Sequence, residues 1–406
     1  MRMNNKEIVP KLRFSKYIDS EYWESTELSN LLDYERPDLY IVESDNYKNE
    51  GIPVLTANKS FILGYTNEKN NIYSDVPVII FDDFTTEKKY VDFQFKVKSS
   101  AIKILKPKGN NVLKFLFELM NTINFEAKEH KRYYISTYQK LFVYVPKDIK
   151  EQQKIADCFF SIDALIDAES RKLKALEKYK IGLMQKLFPA EGKTLPEWRF
   201  PEFQACGEWK LQKLGQVCDF QEGYAFSSND FVKINTDSNH IQVVRITDIN
   251  NKNSNTDKVF VNMDLIKNND LYKYLISKND LVLSLTGAAG FNFFMWNTNI
   301  AVLNQRTLKL IPKDEKNHAI KFLIEPLIHK EINMHGTGQN NNLSKEVLKN
   351  VEIVLPTSCK EQQKIADCLS EFNTMITEQS NKIEQLKAHK KGLMQGLFPS
   401  LEEEDI

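Results

Sequence analysis

Three short runs in this sequence carry side chains able to recognise another molecule by hydrogen bonding. His130-Lys131-Arg132-Tyr133-Tyr134 joins cations to phenols, Asn304-Gln305-Arg306 sets two amides beside a guanidinium, and residues 336–342 read G-T-G-Q-N-N-N, with Gln339 and Asn340 at their centre. Lys59, the pair Lys88-Lys89, Tyr224 and Arg245 extend the set. In the major groove of a duplex, Arg reaches guanine edges and Asn or Gln reaches adenine edges, while cations and phenols meet phosphates. Taken singly, each run is also what a solvated loop looks like. Placement adds weight, because the first and third runs fill the same slot in two halves of a duplicated chain.

Catalytic chemistry is harder to find. The sequence has no G-x-x-x-x-G-K-[ST] phosphate loop, no H-E-x-x-H helix and no G-x-S-x-G elbow. It also lacks the glycine loop and Asn-Pro-Pro-aromatic tetrad of an adenine methyltransferase. The run LTGAAGFNFF at 285–294 follows a strand but leads into aromatics instead of a helix, so it reads as a hairpin turn. Asp82-Asp83 could pair on a metal, but without a third ligand in view they read as a solvated turn between strands. The six histidines are scattered, with no ligand spacing. Five cysteines form no C-x-x-C pair, and Cys158 and Cys368 read as buried thiols in a reducing cytoplasm.

The bulk properties narrow the choice further. A chain of 406 residues is too long for one ordinary core. No apolar run approaches the roughly 18–20 residues that cross a bilayer, and the first residues, MRMNNKEIVPKLRF, lack an apolar signal core. No membrane association and no export are therefore expected. Lys plus Arg equals Asp plus Glu at 55 each. A chain that holds nucleic acid alone usually has a basic excess, so here its cations must be clustered or a partner must supply phosphate contacts.

What must position these groups is written twice. EQQKIADC stands at 151–158 and again at 361–368, GLMQ at 182–185 and 392–395, and Leu-Phe-Pro at 187–189 and 397–399, each pair 210 residues apart. Upstream, VPKLRF at 9–14 resembles LPEWRF at 195–200, and Trp23 and Leu28 match Trp209 and Leu214, all at a spacing of 186. The stretch between these anchors is therefore 24 residues longer in the second half, and its sequence diverges. Fixed ends around unlike middles suggest one job performed on two targets.

Each downstream anchor carries a heptad seam. Ile155, Phe159, Ile162, Ile166, Leu173, Leu176, Leu183 and Leu187 alternate four and three apart, save for two skipped slots. Ile365, Leu369, Phe372, Ile376, Ile383, Leu386, Leu393 and Leu397 take the same slots in the second copy. Glu169 and Gln379 fill one skipped slot, Lys180 and Lys390 the other, and such polar seam residues can set register. Chain order then makes the two helices antiparallel, with a domain at each end. Some 35 helical residues span roughly 50 Å, enough to separate two DNA half-sites, which repeat about every 34–36 Å.

The middles read as mixed α and β. IPVLTANKSFILGYT, VPVIIFDDF and YVDFQFKVKSSAIKIL in the first, and HIQVVRITDI, DLVLSLTG and LNQRTLKLIP in the second, read as strands. VLKFLFELMNTI from Val112 and AIKFLIEPLIHKEI, interrupted by Pro326, read as helices. The expected fold is α+β: two α/β recognition domains in tandem pseudo-repeat, joined by two long helices in an antiparallel coiled coil. The expected boundaries are 1–150, a spacer helix at 151–189, 190–360, a second spacer helix at 361–399, and a tail at 400–406.

On these motifs the chain resembles the specificity subunits of type I restriction–modification enzymes. The likeness rests on both P-x-x-R-F…W segments, both EQQKIADC…GLMQ-x-LFP helices, and G-T-G-Q…Leu343-Ser344 before Pro356. It implies two target-recognition domains, each reading half of a split double-stranded DNA sequence. It implies helices that recruit two methyltransferase subunits, a separate restriction and motor subunit, and no catalysis or cofactor in this chain. S-adenosylmethionine, ATP and Mg are then expected on the partners. The first domain lacks the G-T-G-Q loop, which leaves its contacts the least defined. Two other readings stay open: a scaffold that bridges two proteins without touching DNA, and a self-contained hydrolase or transferase.

Overall fold

The computed structural model describes residues 8–58, 60–232, 239–250, 258–285, 293–296, 299–314, 317, 319–325, 327 and 344–399. The chain divides into two units, Met1–Arg171 with Ser380–Ile406, and Lys172–Gln379.

Unit 1 is built on a four-stranded antiparallel sheet in the order Leu32–Glu35, Ile102–Pro107, Val78–Asp82, Lys88–Val91. Every residue of Val78–Asp82 is buried, and alternation sends its side chains to two different cores. Ile79 and Phe81 face Phe115, Leu116, Leu119 and Met120 of the helix Leu113–Thr122. Val78 and Ile80 face Leu55, Tyr73, Phe95 and Val97. That second core is shared with a three-stranded sheet, Ile62–Thr66, Ile52–Leu55, Lys96–Val97. Glu24–Glu27 pairs with Phe142–Val145, the strand that leads into the first long helix.

Unit 2 repeats this order with additions. Cys218–Glu222, Thr307–Pro312, Leu281–Ser284 and Phe293–Met295 form its principal sheet. Val259–Asn262, His240–Val244, Ala301–Leu303 and Leu275–Ile276 form the second. Lys210–Lys213 pairs with Glu352–Leu355 ahead of the second long helix. The strands flanking 285–292 pair as a hairpin, whose connecting residues 286–292 lie outside the described residues. Residues 320–325 are helical, while Pro326 lies outside the described residues.

Four strand expectations need correction. In unit 1, IPVLTANKSFILGYT is the two strands Ile52–Leu55 and Ile62–Thr66, and YVDFQFKVKSSAIKIL passes from Lys88–Val91 through Lys96–Val97 to Ile102–Pro107, changing sheet twice. HIQVVRITDI stays extended only to Val244 and then turns into the helix Ile246–Asn250. The Asp248 carboxylate accepts the Arg245 N–H at 2.8 Å, which starts that turn. LNQRTLKLIP is likewise two strands, broken at 304–306, where the chain passes from one sheet to the other.

The long helices are Ile149–Leu187 and Cys359–Leu397, 39 residues each. In unit 1, Ile155, Phe159 and Ile162 of the first share a core with Leu397 and Phe398 at the end of the second, and Ile166 and Leu393 pack against it. In unit 2, Leu187 and Phe188 share a core with Ile365 and Leu369, joined by Leu183. Within each unit, then, the start of one helix lies against the end of the other. They run antiparallel, and no seam residue is exposed. The skipped slots make polar contacts. Lys180 donates to Asn373 at 2.7 Å, and Lys390 donates to Asp163 at 2.7 Å and Glu118 at 3.3 Å. Glu169 accepts from Lys382.

Candidate nucleic-acid interface

The two matched arms of the duplication meet on one carboxylate in each unit. Arg13 grips Glu151 through Nε and Nη2, each at 2.8 Å, and Trp23 Nε1 adds a donor at 3.4 Å. Arg199 grips Glu361 at 2.6 and 2.7 Å, with Trp209 Nε1 at 3.3 Å. Two further guanidinium protons go to backbone carbonyls, Ser20 and Glu21 in one copy, Cys206 and Gly207 in the other. Hydrogen bonding to the carboxylate holds both guanidiniums above the usual arginine range. The next letter of the motif ties the helix to the preceding strand: Gln152 donates to the Pro146 carbonyl and Gln362 to that of Pro356. Trp23 and Trp209 then lie edge-on to Phe398 and Phe188 of the Leu-Phe-Pro ends. P-x-x-R-F, Trp, EQQ and LFP thus form one frame, present in each unit.

Some shared residues have no part in that frame. Lys150, Gln153, Lys154 and Asp157 lie on one exposed helix face, and Lys360, Gln363, Lys364 and Asp367 repeat it. Gln153 donates to Asp157 at 2.7 Å and Gln363 to Asp367 at 2.6 Å. The Lys154 ammonium lies 5.6 Å over Phe14, and that of Lys364 lies 5.6 Å over Phe200. Farther along, exposed residues of the first copy have unlike counterparts in the second: Phe160 against half-buried Ser370, Tyr179 against His389, Ile181 against Lys391. Cys158 and Cys368 are half-buried instead of buried, because they flank the seam without entering it. Burial still pushes both thiols up.

The recognition candidates of unit 1 fall into two groups. Lys88 and Lys89 are half-buried on the last strand of the principal sheet, with the Lys88 ammonium 5.8 Å over the Tyr138 ring. Lys131 and Arg132 are exposed, Lys131 pairing with Glu129 at 2.8 Å. Tyr133 is buried and donates its hydroxyl to the Glu129 carbonyl at 2.9 Å. Asp82 and Asp83 occupy a turn, but not a solvated one, for both are buried. Asp82 accepts the N–H groups of Phe84 and Thr85. Asp83 pairs with Lys103 at 3.0 Å and accepts the Tyr134 N–H at 2.8 Å, which pins the 130–135 loop. Fully bonded carboxylates tolerate burial that a free one would not. That role was not visible in the sequence, since Lys103 lies far from Asp83 along the chain.

In unit 2 the fold gathers candidates that the sequence scatters. Tyr224 N–H donates to the Leu303 carbonyl at 2.9 Å, and Asn304 N–H to that of Val244 at 3.0 Å. Tyr224, Arg245, Gln305 and Arg306 therefore share one corner. Gln305 and Arg306 are exposed there, and Arg245 pairs with Asp248 at 3.2 Å. Lys59, Gln339 and Asn340 lie outside the described residues. Among the described residues no group of three or more His, Cys, Asp or Glu side chains could hold a metal ion. No described helix is long and apolar enough to cross a membrane.

Residues 20–178 and 207–388 match the family profile described as "Type I restriction modification DNA specificity domain". The chain is 40% identical over 200 residues to the specificity subunit of the type I restriction enzyme EcoR124I/EcoR124II from Escherichia coli, covering 45% of this chain and 50% of that one. It is 26% identical over 263 residues to the MjaVIII specificity subunit from Methanocaldococcus jannaschii, covering 61% and 59%. The chain thus spans about half the length of the first of these curated relatives and under two thirds of the second. The S subunit of a type I restriction–modification system from M. genitalium shares the fold, with a TM-score of 0.66 at 14% identity over 97% of this chain and all of the other.

Proposed function

Since the chain belongs to the type I restriction modification DNA specificity family, we propose that it is the sequence-reading subunit of a restriction–modification assembly. In this reading residues 1–150 and 190–360 are the target-recognition domains, and each reads one half of a split duplex sequence. The chain carries no catalytic site of its own. Two methyltransferase subunits bring S-adenosylmethionine, and a restriction and motor subunit brings ATP and Mg. All of this takes place in the cytoplasm.

The observation that carries the reading is a contrast inside one molecule. Both units are built on the same Arg–Glu–Trp frame at the same place in the motif, yet their loops present different donors. Repeated frames with unlike loops suit two unlike half-targets. The repeated exposed face of Lys150, Gln153, Lys154 and Asp157 supports two copies of one partner, because identical partners need identical surfaces. Electrical neutrality fits a subunit whose partners share the phosphate contacts.

Footprinting of the complex reconstituted with its methyltransferase tests the proposal. Two short protected elements are expected, separated by positions whose base identity has no effect on methylation. One uninterrupted recognition element, or methylation that ignores sequence, refutes it.

A further inference from the structure

The chain has eight arginines, of which Arg2 lies outside the described residues. Arg13 and Arg199 are locked on Glu151 and Glu361, Arg245 on Asp248, and Arg171 lies on the first long helix. Arg36, Arg132 and Arg306 remain. None of them makes an ion pair among the described residues, and all three fall at the corresponding corner of their units.

In unit 1 that corner lies where Leu32–Glu35 ends, where Val78–Asp82 ends, and where the chain crosses from Lys96–Val97 into Ile102–Pro107. A cavity of about 160 Å³ opens there, walled by Arg36, Asp38, Asp83, Ser100, Lys103 and Arg132. The Asp83–Lys103 pair is buried and satisfied, so it is wall and not ligand. The Arg132 guanidinium lies 5.8 Å over the Phe84 ring, which stacks on His130 at 4.7 Å, and Nη2 touches Ser100 Oγ at 3.4 Å. It is held by its plane while most of its donors stay free.

In unit 2 the same three places are the end of Cys218–Glu222, the end of Leu281–Ser284, and the crossing from Ala301–Leu303 into Thr307–Pro312. Here the crossing itself supplies the arginine. Arg306 sits at φ 62°, a left-handed conformation uncommon for a residue with a side chain. Neighbours hold it there: Leu285 N–H donates to the Arg306 carbonyl at 2.9 Å and Gly223 N–H to that of Thr307 at 2.9 Å. A Cβ on Gly223 would lie 2.0 Å from the Asn304 carbonyl oxygen, so only glycine allows this approach. The Arg306 side chain is left exposed at the tip.

A planar fork on a fixed backbone, free of any carboxylate, matches the paired acceptors of a guanine edge. We propose that this corner is the base-reading site of each unit, with Arg132 reading a base in one half of the target and Arg306 a base in the other. The inference rests on the split-target reading above and adds to it which side chains discriminate.

The test uses the full chain in its methyltransferase complex, offered a duplex pool with randomised positions, and sequences the methylated products. Arg132→Ala is expected to relax selectivity roughly 10–100-fold at one position of one half-target and leave the other half unaltered. Arg306→Gly, which keeps the backbone conformation, is expected to do the same in the other half only. Arg132→Lys keeps stem and charge over Phe84 and serves if alanine unfolds the loop; it is expected to lose selectivity at the same position to a smaller degree. Unaltered selectivity in the variants overturns the assignment. So does a uniform loss across all sequences with a salt slope lowered by about 1, the mark of a phosphate contact. Wild type alone reports on the broader reading: if it selects two separated elements while the variants match it, only the corner assignment falls.

Discussion

Glu151 and Glu361 show how a buried charge becomes part of a core. Each is at most 1% exposed, and an arginine fork and an indole N–H replace the water it gave up. Removing the carboxylate leaves a guanidinium buried without its counter-charge, at a cost of about 3–5 kcal/mol. Glu361→Ala should therefore lower the thermal midpoint far more than Glu371→Ala, an exposed carboxylate nearly three turns on; equal midpoints would contradict the role given to the frame. Lys88 is the opposite case. Burial brings its ammonium down to about 8, with Glu87 raising it and Lys89 lowering it. Between about 8 and the ordinary lysine value the unfolded chain holds the extra proton, so this residue's contribution to stability rises with pH. Below about 8 the penalty is present in full. Lys88→Met should gain stability over wild type at pH 7 and gain less at pH 10, as read from urea midpoints at the two values.

At the scale of elements, the long helices were the most legible part of the sequence. Their seam is periodic and duplicated, and each of its residues from Ile155 to Leu397 is buried or half-buried. The two breaks in that period were visible as Lys180 and Lys390, but their partners were not. Asn373 and Asp163 occupy equivalent positions, so the lysine ammonium of this slot meets a neutral amide oxygen in unit 2 and a carboxylate in unit 1. The breaks at Val244 and Asn304 are illegible in the sequence for a related reason. HIQVVRITDI is rich in β-branched residues to the end and LNQRTLKLIP alternates apolar and polar residues, and what stops each strand is a contact: a carboxylate capping Arg245, or a change of sheet after Leu303. Strand propensity summed over a run weighs neither a local cap nor a change of sheet. The recognition residues were the least legible, because a cation on a loop has the same composition whether it is free, like Arg132, or paired, like Lys131.

For the molecule as a whole, the unit boundaries fall inside both helices, after Arg171 and after Gln379. Seven residues added to each helix, near Arg171 and Asn381, keep the seam in phase and lengthen each by about 10 Å. If the helices set the interval between half-targets, the unread gap should widen by about three base pairs at ~3.4 Å per step. Mapping methylated adenines in a host carrying the variant measures it, and an active variant with the original gap would show that something else sets the interval.

The Leu12 N–H donates to the Gly396 carbonyl at 2.8 Å, so unit 1 is closed by an early and a late segment of the chain, whereas unit 2 is one continuous segment. A ribosome that has released residue 379 has delivered all of unit 2. Unit 1, begun first, still waits for Leu393, Leu397 and Phe398 to cover Trp23 and Phe159. Translation that stops early therefore leaves the second unit whole beside a first unit whose apolar floor, Trp23 and Phe159 among it, is uncovered.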